Sequence, residues 1–149
     1  MPVQIALGSA LILVTIVISG LVFLAMESLF LRFHGWLVRP PHPRRQMLVL
    51  CATALTVLGL VTISVWIWAL AFLQLGVFNN LETSVYFALV AFTTLGFGDI
   101  IIGNEWRLLG GMLAANGLLN IGMSTAILIE VMRQLRLAQA EYTQRESED

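Results

Sequence analysis

Hydrophobic and polar positions alternate in long blocks along this chain. Residues 3–26 carry no charged side chain, residues 47–78 carry none, and residues 106–132 are charged only at Arg107 and Glu130. At 1.5 Å per residue, each of these runs is long enough as a helix to cross a hydrocarbon layer of about 30 Å. A fourth apolar run, residues 81–93, is too short to cross. It is expected to dip into the membrane as a short helix capped by Asn79 or Asn80 and to return as extended chain.

The polar breaks give the orientation. RFHGWLVRPPHPRRQ, residues 32–46, holds Arg32, Arg39, Arg44 and Arg45 with no acid, and Pro40, Pro41 and Pro43 oppose a continuous helix. It is read as a cytoplasmic loop, because short basic loops stay inside. The N-terminus then lies outside, the second run crosses outward, and the short fourth run with the chain that follows it enters from the outer face. Arg133 and Arg136 put the C-terminal tail, 133–149, in the cytoplasm. The first part of that tail is expected to continue the third helix, and its last residues, ending RESED, to be disordered. Trp36 is read as an interfacial anchor, and Trp66 and Trp68 as members of an aromatic belt. A cleaved leader is the rival reading of residues 3–26, disfavoured by the missing basic n-region and the length of the apolar run. Gly8, Ser9, Thr15, Ser19 and Gly20 would let this first helix pack closely against another.

Composition narrows the class. With 58% hydrophobic and 11% charged residues and a mean hydropathy of +0.88, the chain is an integral membrane protein of all-α class. The net charge of −1, with eight arginines and no lysine, points to no nucleic-acid partner. The one cysteine, Cys51, excludes an intrachain disulfide and has no metal-binding neighbour in sequence. His34 and His42 share the basic loop, and no Ser/His/Asp arrangement or carboxylate pair frames a pocket. No enzyme chemistry and no cofactor are expected.

The informative stretch is Thr93-Thr94-Leu95-Gly96-Phe97-Gly98-Asp99, which follows the short fourth run. Glycines alternating with bulky residues allow the backbone to alternate between left- and right-handed conformations, so that successive carbonyls point the same way. Such a row of oxygens can replace the water around a cation. Irregular backbone at membrane depth must line a cavity or be buried in protein, and one chain supplies only one wall. A symmetric oligomer is therefore expected.

TTLGFGD resembles the potassium-channel signature T-x-G-[Y/F]-G-D, a carbonyl filter. The likeness extends to LETSVYFALVAFTT as a pore helix and to residues 106–132 as an inner helix, so it covers roughly residues 47–132. It implies a homotetramer of chains with three transmembrane helices and one re-entrant pore loop each. The divisions are an extra N-terminal helix at 1–31, the basic loop at 32–46, and a pore domain at 47–132 before the tail. Within that domain the outer helix is 47–78, the pore helix 80–93, the filter 94–99 and the inner helix 106–132. Potassium would be held by carbonyls of Thr94, Leu95, Gly96 and Phe97 with the Thr94 hydroxyl at the inner end, while Gly98 and Asp99 shape the outer end. The resemblance puts a gating hinge at Gly117, and that register sets Leu118, Ile121, Thr125 and Ile129 along the cavity and gate. Asn116 and Asn120 fall on the opposite side of the helix and are read as interhelical hydrogen-bonders.

The chain also departs from the pattern. Leu95 and Phe97 stand for the common valine and tyrosine, and Phe97 has no hydroxyl with which to brace the filter. Tyr86-Phe87 occupies the place of a tryptophan pair. Val90 replaces the glutamate that pairs with the filter aspartate in some members, so Asp99 is expected to lack that partner. Glu82, Asp99 and Glu105 would ring an acidic outer mouth. The expected activity is passive potassium conduction in the plasma (inner) membrane, with anionic lipid at Arg39, Arg44 and Arg45. No helix carries the arginine repeat of a voltage sensor. A non-selective cation channel, a pore-loop transporter and a non-conducting membrane subunit are the rivals.

Overall fold

The computed structural model describes residues 2–38 and 42–148. It is built from four α-helices, α1 (Pro2–Val38), α2 (His42–Gln74), α3 (Leu81–Phe92) and α4 (Arg107–Glu148), with one 3-10 turn at Asn104–Trp106. Three segments, Pro2–Leu29, Arg44–Gln74 and Asn104–Ala140, are long and apolar enough to cross a membrane. Twelve-residue α3 is not. The chain is therefore an all-helical membrane protein with three long apolar helices.

Several boundaries differ from the sequence reading, each for a local reason. The expected loop at 32–46 is mostly helix. α1 continues to Val38, ahead of a Pro-Pro pair in the sequence that disfavours helix. α2 already begins at His42, so Pro43 falls in its first turn, where a missing N–H costs nothing. Arg39 lies outside the described residues, as does the side chain of Trp36. At its far end α2 stops at Gln74, although the apolar run continues to Phe78. Gly76 adopts φ +68°, and the amides of Gly76 and Val77 bond to the carbonyls of Leu73 and Phe72 at 3.1 and 3.0 Å. This pair of bonds is a Schellman stop, which glycine favours in the left-handed conformation. α4 runs 42 residues to Glu148 instead of breaking into a disordered tail. Its last turns are rich in glutamine, arginine, alanine and glutamate, all good helix formers.

The chain divides into two compact units, and α1, α2 and α4 each contribute to both. The first combines Met1–Ser19 with Gly59–Gly122. Its core is Val65, Trp68, Ala69, Phe72, Ala88, Phe92, Ile102, Leu109 and Leu113. Trp68 is completely buried, so it is a core residue and not part of an aromatic belt, whereas Trp66 is exposed. Phe72 stands at the centre of an aromatic cluster, with ring centroids 6.0 Å from Trp68, 6.0 Å from Phe78 and 5.5 Å from Phe87. These contacts tie α3 and the turn before it to α2.

Within the same unit α1 lies along α4. Gln4 bonds to the Glu105 carbonyl, Thr15 to Asn116 and Ser19 to Asn120, each pair 101 residues apart. A constant offset means that the two helices run parallel and in register. Gly8 faces α4 at this approach: a Cβ there would press on the flexible end of Met112 and lie 3.2 Å from a Leu109 methyl. The small and hydroxyl residues of helix 1 thus mark its contact with α4.

The second unit combines Gly20–Leu58 with Met123–Asp149. Here Gln46 on α2 donates to the Gln139 side chain on α4 at 2.6 Å, beside the buried Leu135. On α4, Arg133 makes a two-pronged bond to Glu130 at 2.9 and 2.7 Å.

Candidate functional site

The site is assembled from α3 outward. Asn80, extended at φ −136°, accepts a hydrogen bond from the Thr83 amide at 2.7 Å and caps the helix. Ser84, Ala88 and Phe92, four residues apart, form the buried face. Where that face meets α4 there is no room for a side chain: a Cβ on Gly117 would overlap the carbonyl group of Phe92. Gly117 therefore has a packing reason as the floor under the last turn of α3. The spacing of the sequence could not show this, because it depends on where two distant helices cross.

Beyond Phe92 the helix unwinds in steps. The Thr93 amide still bonds to the Leu89 carbonyl at 3.0 Å, and its hydroxyl reaches the same oxygen at 2.8 Å. The Thr94 amide bonds to Ala91 at 3.0 Å, and the amides of Leu95 and Gly96 both point at the Val90 carbonyl, 3.0 and 3.3 Å away. These donors anchor the loop to the C-terminal end of α3, where the helix dipole is negative. Thr94, Gly96 and Gly98 have φ of +58°, +56° and +78°, whereas Leu95 and Phe97 remain in the right-handed half of the map. Handedness therefore alternates residue by residue from Thr94 to Gly98. Thr94 is the one described non-glycine residue with positive φ, a conformation that costs an L-residue energy and is held here by its anchored neighbours.

The far end of the loop is braced by a contact that the sequence reading missed. The Tyr86 hydroxyl donates to the Asp99 carboxylate at 2.6 Å, the short distance of a charge-assisted bond. Val90 does leave Asp99 without a glutamate, but Tyr86, one helical turn earlier on α3, takes up the carboxylate. That bond holds the Asp99 carboxyl below its ordinary value of 3.8, and it raises the Tyr86 phenol above 10.0. Between the brace and the strand lies an open cavity of about 230 Å³ lined by Tyr86, Phe87, Val90, Gly96, Gly98 and Asp99.

Thr94 through Asp99 form one continuous segment of turn, irregular and bent backbone, and all of it is exposed on the single chain. Leu118 and Ile121 are also exposed, on the side of α4 away from the buried Asn116 and Asn120. Thr125 and Ile129, in the second unit, are exposed as well. The structure brings the six strand residues together, but it sets Gly117 against α3 and not with the exposed stripe.

No curated protein and no solved structure matches the chain. A match to a known family does exist: residues 56–134, from the middle of α2 through α3 and the strand into α4, match the family described as ion channel. α1 lies outside the matched span. Taken with the anchored strand and the flanking apolar helices, this match of more than half the chain shows that the protein belongs to the ion channel family, in its two-transmembrane, potassium-channel-like form with an additional N-terminal helix.

Proposed function

We propose that this ion channel is a homotetramer that passes potassium passively down its electrochemical gradient, with Thr94–Asp99 as its selectivity filter. The observation that carries this reading is the alternation of handedness at Thr94, Gly96 and Gly98. Carbonyls of Thr94, Leu95, Gly96 and Phe97, with the Thr94 hydroxyl, take the place of water around the ion. The negative end of α3 points at the inner end of this row and favours a cation there. Four copies close the ring, which accounts for a strand that is bare on one chain. Leu118, Ile121, Thr125 and Ile129 line the cavity and gate, and Gly117 is the level at which the inner helix bends. Glu82, Asp99 and Glu105, all exposed, gather cations at the outer mouth. The basic segment places the N-terminus outside and the C-terminus in the cytoplasm of the plasma (inner) membrane, with Arg44 and Arg45 against anionic headgroups.

A second reading, a non-selective cation channel, is favoured by one observation. Phe97 is 65% exposed and carries no hydroxyl to tie the strand to its surroundings. Purified protein in liposomes, tested with opposed potassium and sodium gradients, separates the two. Potassium flux without sodium flux supports the first reading, and equal fluxes support the second. Gly96→Ala, which places a Cβ on a backbone at φ +56°, abolishes selectivity or conduction if the strand is the filter. Unchanged selective flux in that variant overturns the assignment, and no flux from any preparation favours a non-conducting subunit.

A further inference from the structure

Conduction through the filter makes no use of the polar contacts between α1 and α4, yet these form a buried side-chain network within the first unit. Thr15 Oγ1 lies 3.0 Å from Asn116 Oδ1, and Ser19 Oγ lies 2.8 Å from Asn120 Oδ1. Asn120 Nδ2 in turn donates to the Asn116 carbonyl at 3.0 Å and to Asn116 Oδ1 at 2.8 Å. All four residues are at most 4% exposed. Small residues alone would allow the close approach; the hydroxyls and amides add hydrogen bonds that fix how the two helices face each other. Asn116 also keeps a buried Nδ2 with no partner, so this arrangement does not exhaust the hydrogen bonds the ladder can make.

The ladder sits next to the point where α4 supports the filter. Asn116 immediately precedes Gly117, whose Cα faces the Phe92 carbonyl at the end of α3. Two residues before Phe92, the Val90 carbonyl holds the amides of Leu95 and Gly96. A contiguous chain of contacts thus runs from α1 through α4 and α3 to the filter strand.

We propose that α1 is a built-in positioning helix for the conduction pathway. In this assignment, which rests on reading Thr94–Asp99 as the filter, Thr15 and Ser19 hold α4 at one rotation about its own axis and thereby set the seating of Gly117 under α3. They act through Asn116 and Asn120 and touch no ion, so they control how often the channel conducts and not which ion it conducts.

The test uses the full chain carrying Thr15→Val with Ser19→Ala, and beside it the hydroxyl-preserving Thr15→Ser. The double variant is expected to shift open probability in planar bilayers by about tenfold, the scale on which residues along a contact chain modulate coupling. Its potassium-to-sodium reversal potentials and its oligomer size are expected to stay as in the wild type, and Thr15→Ser to restore wild-type behaviour. A second readout does not depend on conduction: amide hydrogen exchange at Leu95 and Gly96 is expected to quicken by about tenfold in the double variant. Unchanged exchange at these amides, or a lower melting temperature with unchanged open probability, overturns the proposal by reducing the ladder to structural glue. Altered ion selectivity overturns it too. Should the wild type conduct nothing, the functional reading fails while the exchange measurement still decides whether α1 governs the strand.

Discussion

The bond between Tyr86 and Asp99 shows how far a single residue can be read in advance. A glycine-alternating strand is legible because glycine is the residue that tolerates φ near +60°, and Gly96 and Gly98 both occupy that region. Thr94 at φ +58° was not legible, since threonine resists that conformation and adopts it here only because flanking amides are pinned to α3. Nor was Tyr86, for the bond spans 13 residues and requires knowing how the strand folds back. We expect Tyr86→Phe to leave assembly intact and to make potassium conduction decay severalfold faster under sustained gradients, measured as flux from liposomes over time. The sign of the pH dependence follows from the lowered Asp99 value. The brace is fully present above the ordinary carboxylate value of 3.8 and is lost as pH falls through the lowered one. Conduction should therefore be flat with respect to this pair from neutral pH down to the ordinary carboxylate value of 3.8, and should fall only below it. Tyr86→Phe should lack that step, which separates Asp99 from Glu82 and Glu105 in a comparison of the two acid titrations.

At the level of elements, existence and type were legible because the apolar runs are long and the break at Asn79–Asn80 is sharp. Ends were less so. Three prolines suggested a long loop, but Pro43 is harmless in a first turn, and the stop at Gly76 depends on a left-handed residue inside an apolar run. The partner of α1 was also hidden, because a stripe of small residues says that a helix packs closely but not on what. Two glycine substitutions test these contacts. Gly117→Ala drives a Cβ into backbone that cannot yield, and it should destabilise the fold by about 1–3 kcal/mol or more, read as a lower thermal midpoint in detergent. Gly59→Ala meets open space on α2 and should raise the midpoint through helix propensity, worth up to about 1 kcal/mol. Equal midpoints for the two variants would refute the close approach of α3 and α4.

On the scale of the whole molecule the segment proposed as the filter, Thr94 to Asp99, is exposed on the single chain, and so are Leu118, Ile121 and Ile129 on α4. The backbone chemistry leads one to expect several copies, while their arrangement depends on surfaces that one chain does not pair. If four copies close the ring, the detergent-solubilised particle should have four times the 16.4 kDa chain mass by light scattering after subtracting detergent. If Ile129 belongs to an apolar constriction, Ile129→Ser should wet it and raise potassium flux, since such gates close by excluding water. The ladder between α1 and α4 bears on how the chain is made. Thr15 and Ser19 each have a second partner within their own helix, the carbonyls of Ile12 and Thr15 at 2.9 Å. α1 can thus enter the bilayer first with its hydroxyls satisfied, and wait there. Asn116 and Asn120, made about a hundred residues later, have more bonds to fill, and the nascent α4 finds in α1 a berth already in the membrane. Order of synthesis and order of satisfaction coincide, so that α4, made after α1, is the helix with the more specific place to go.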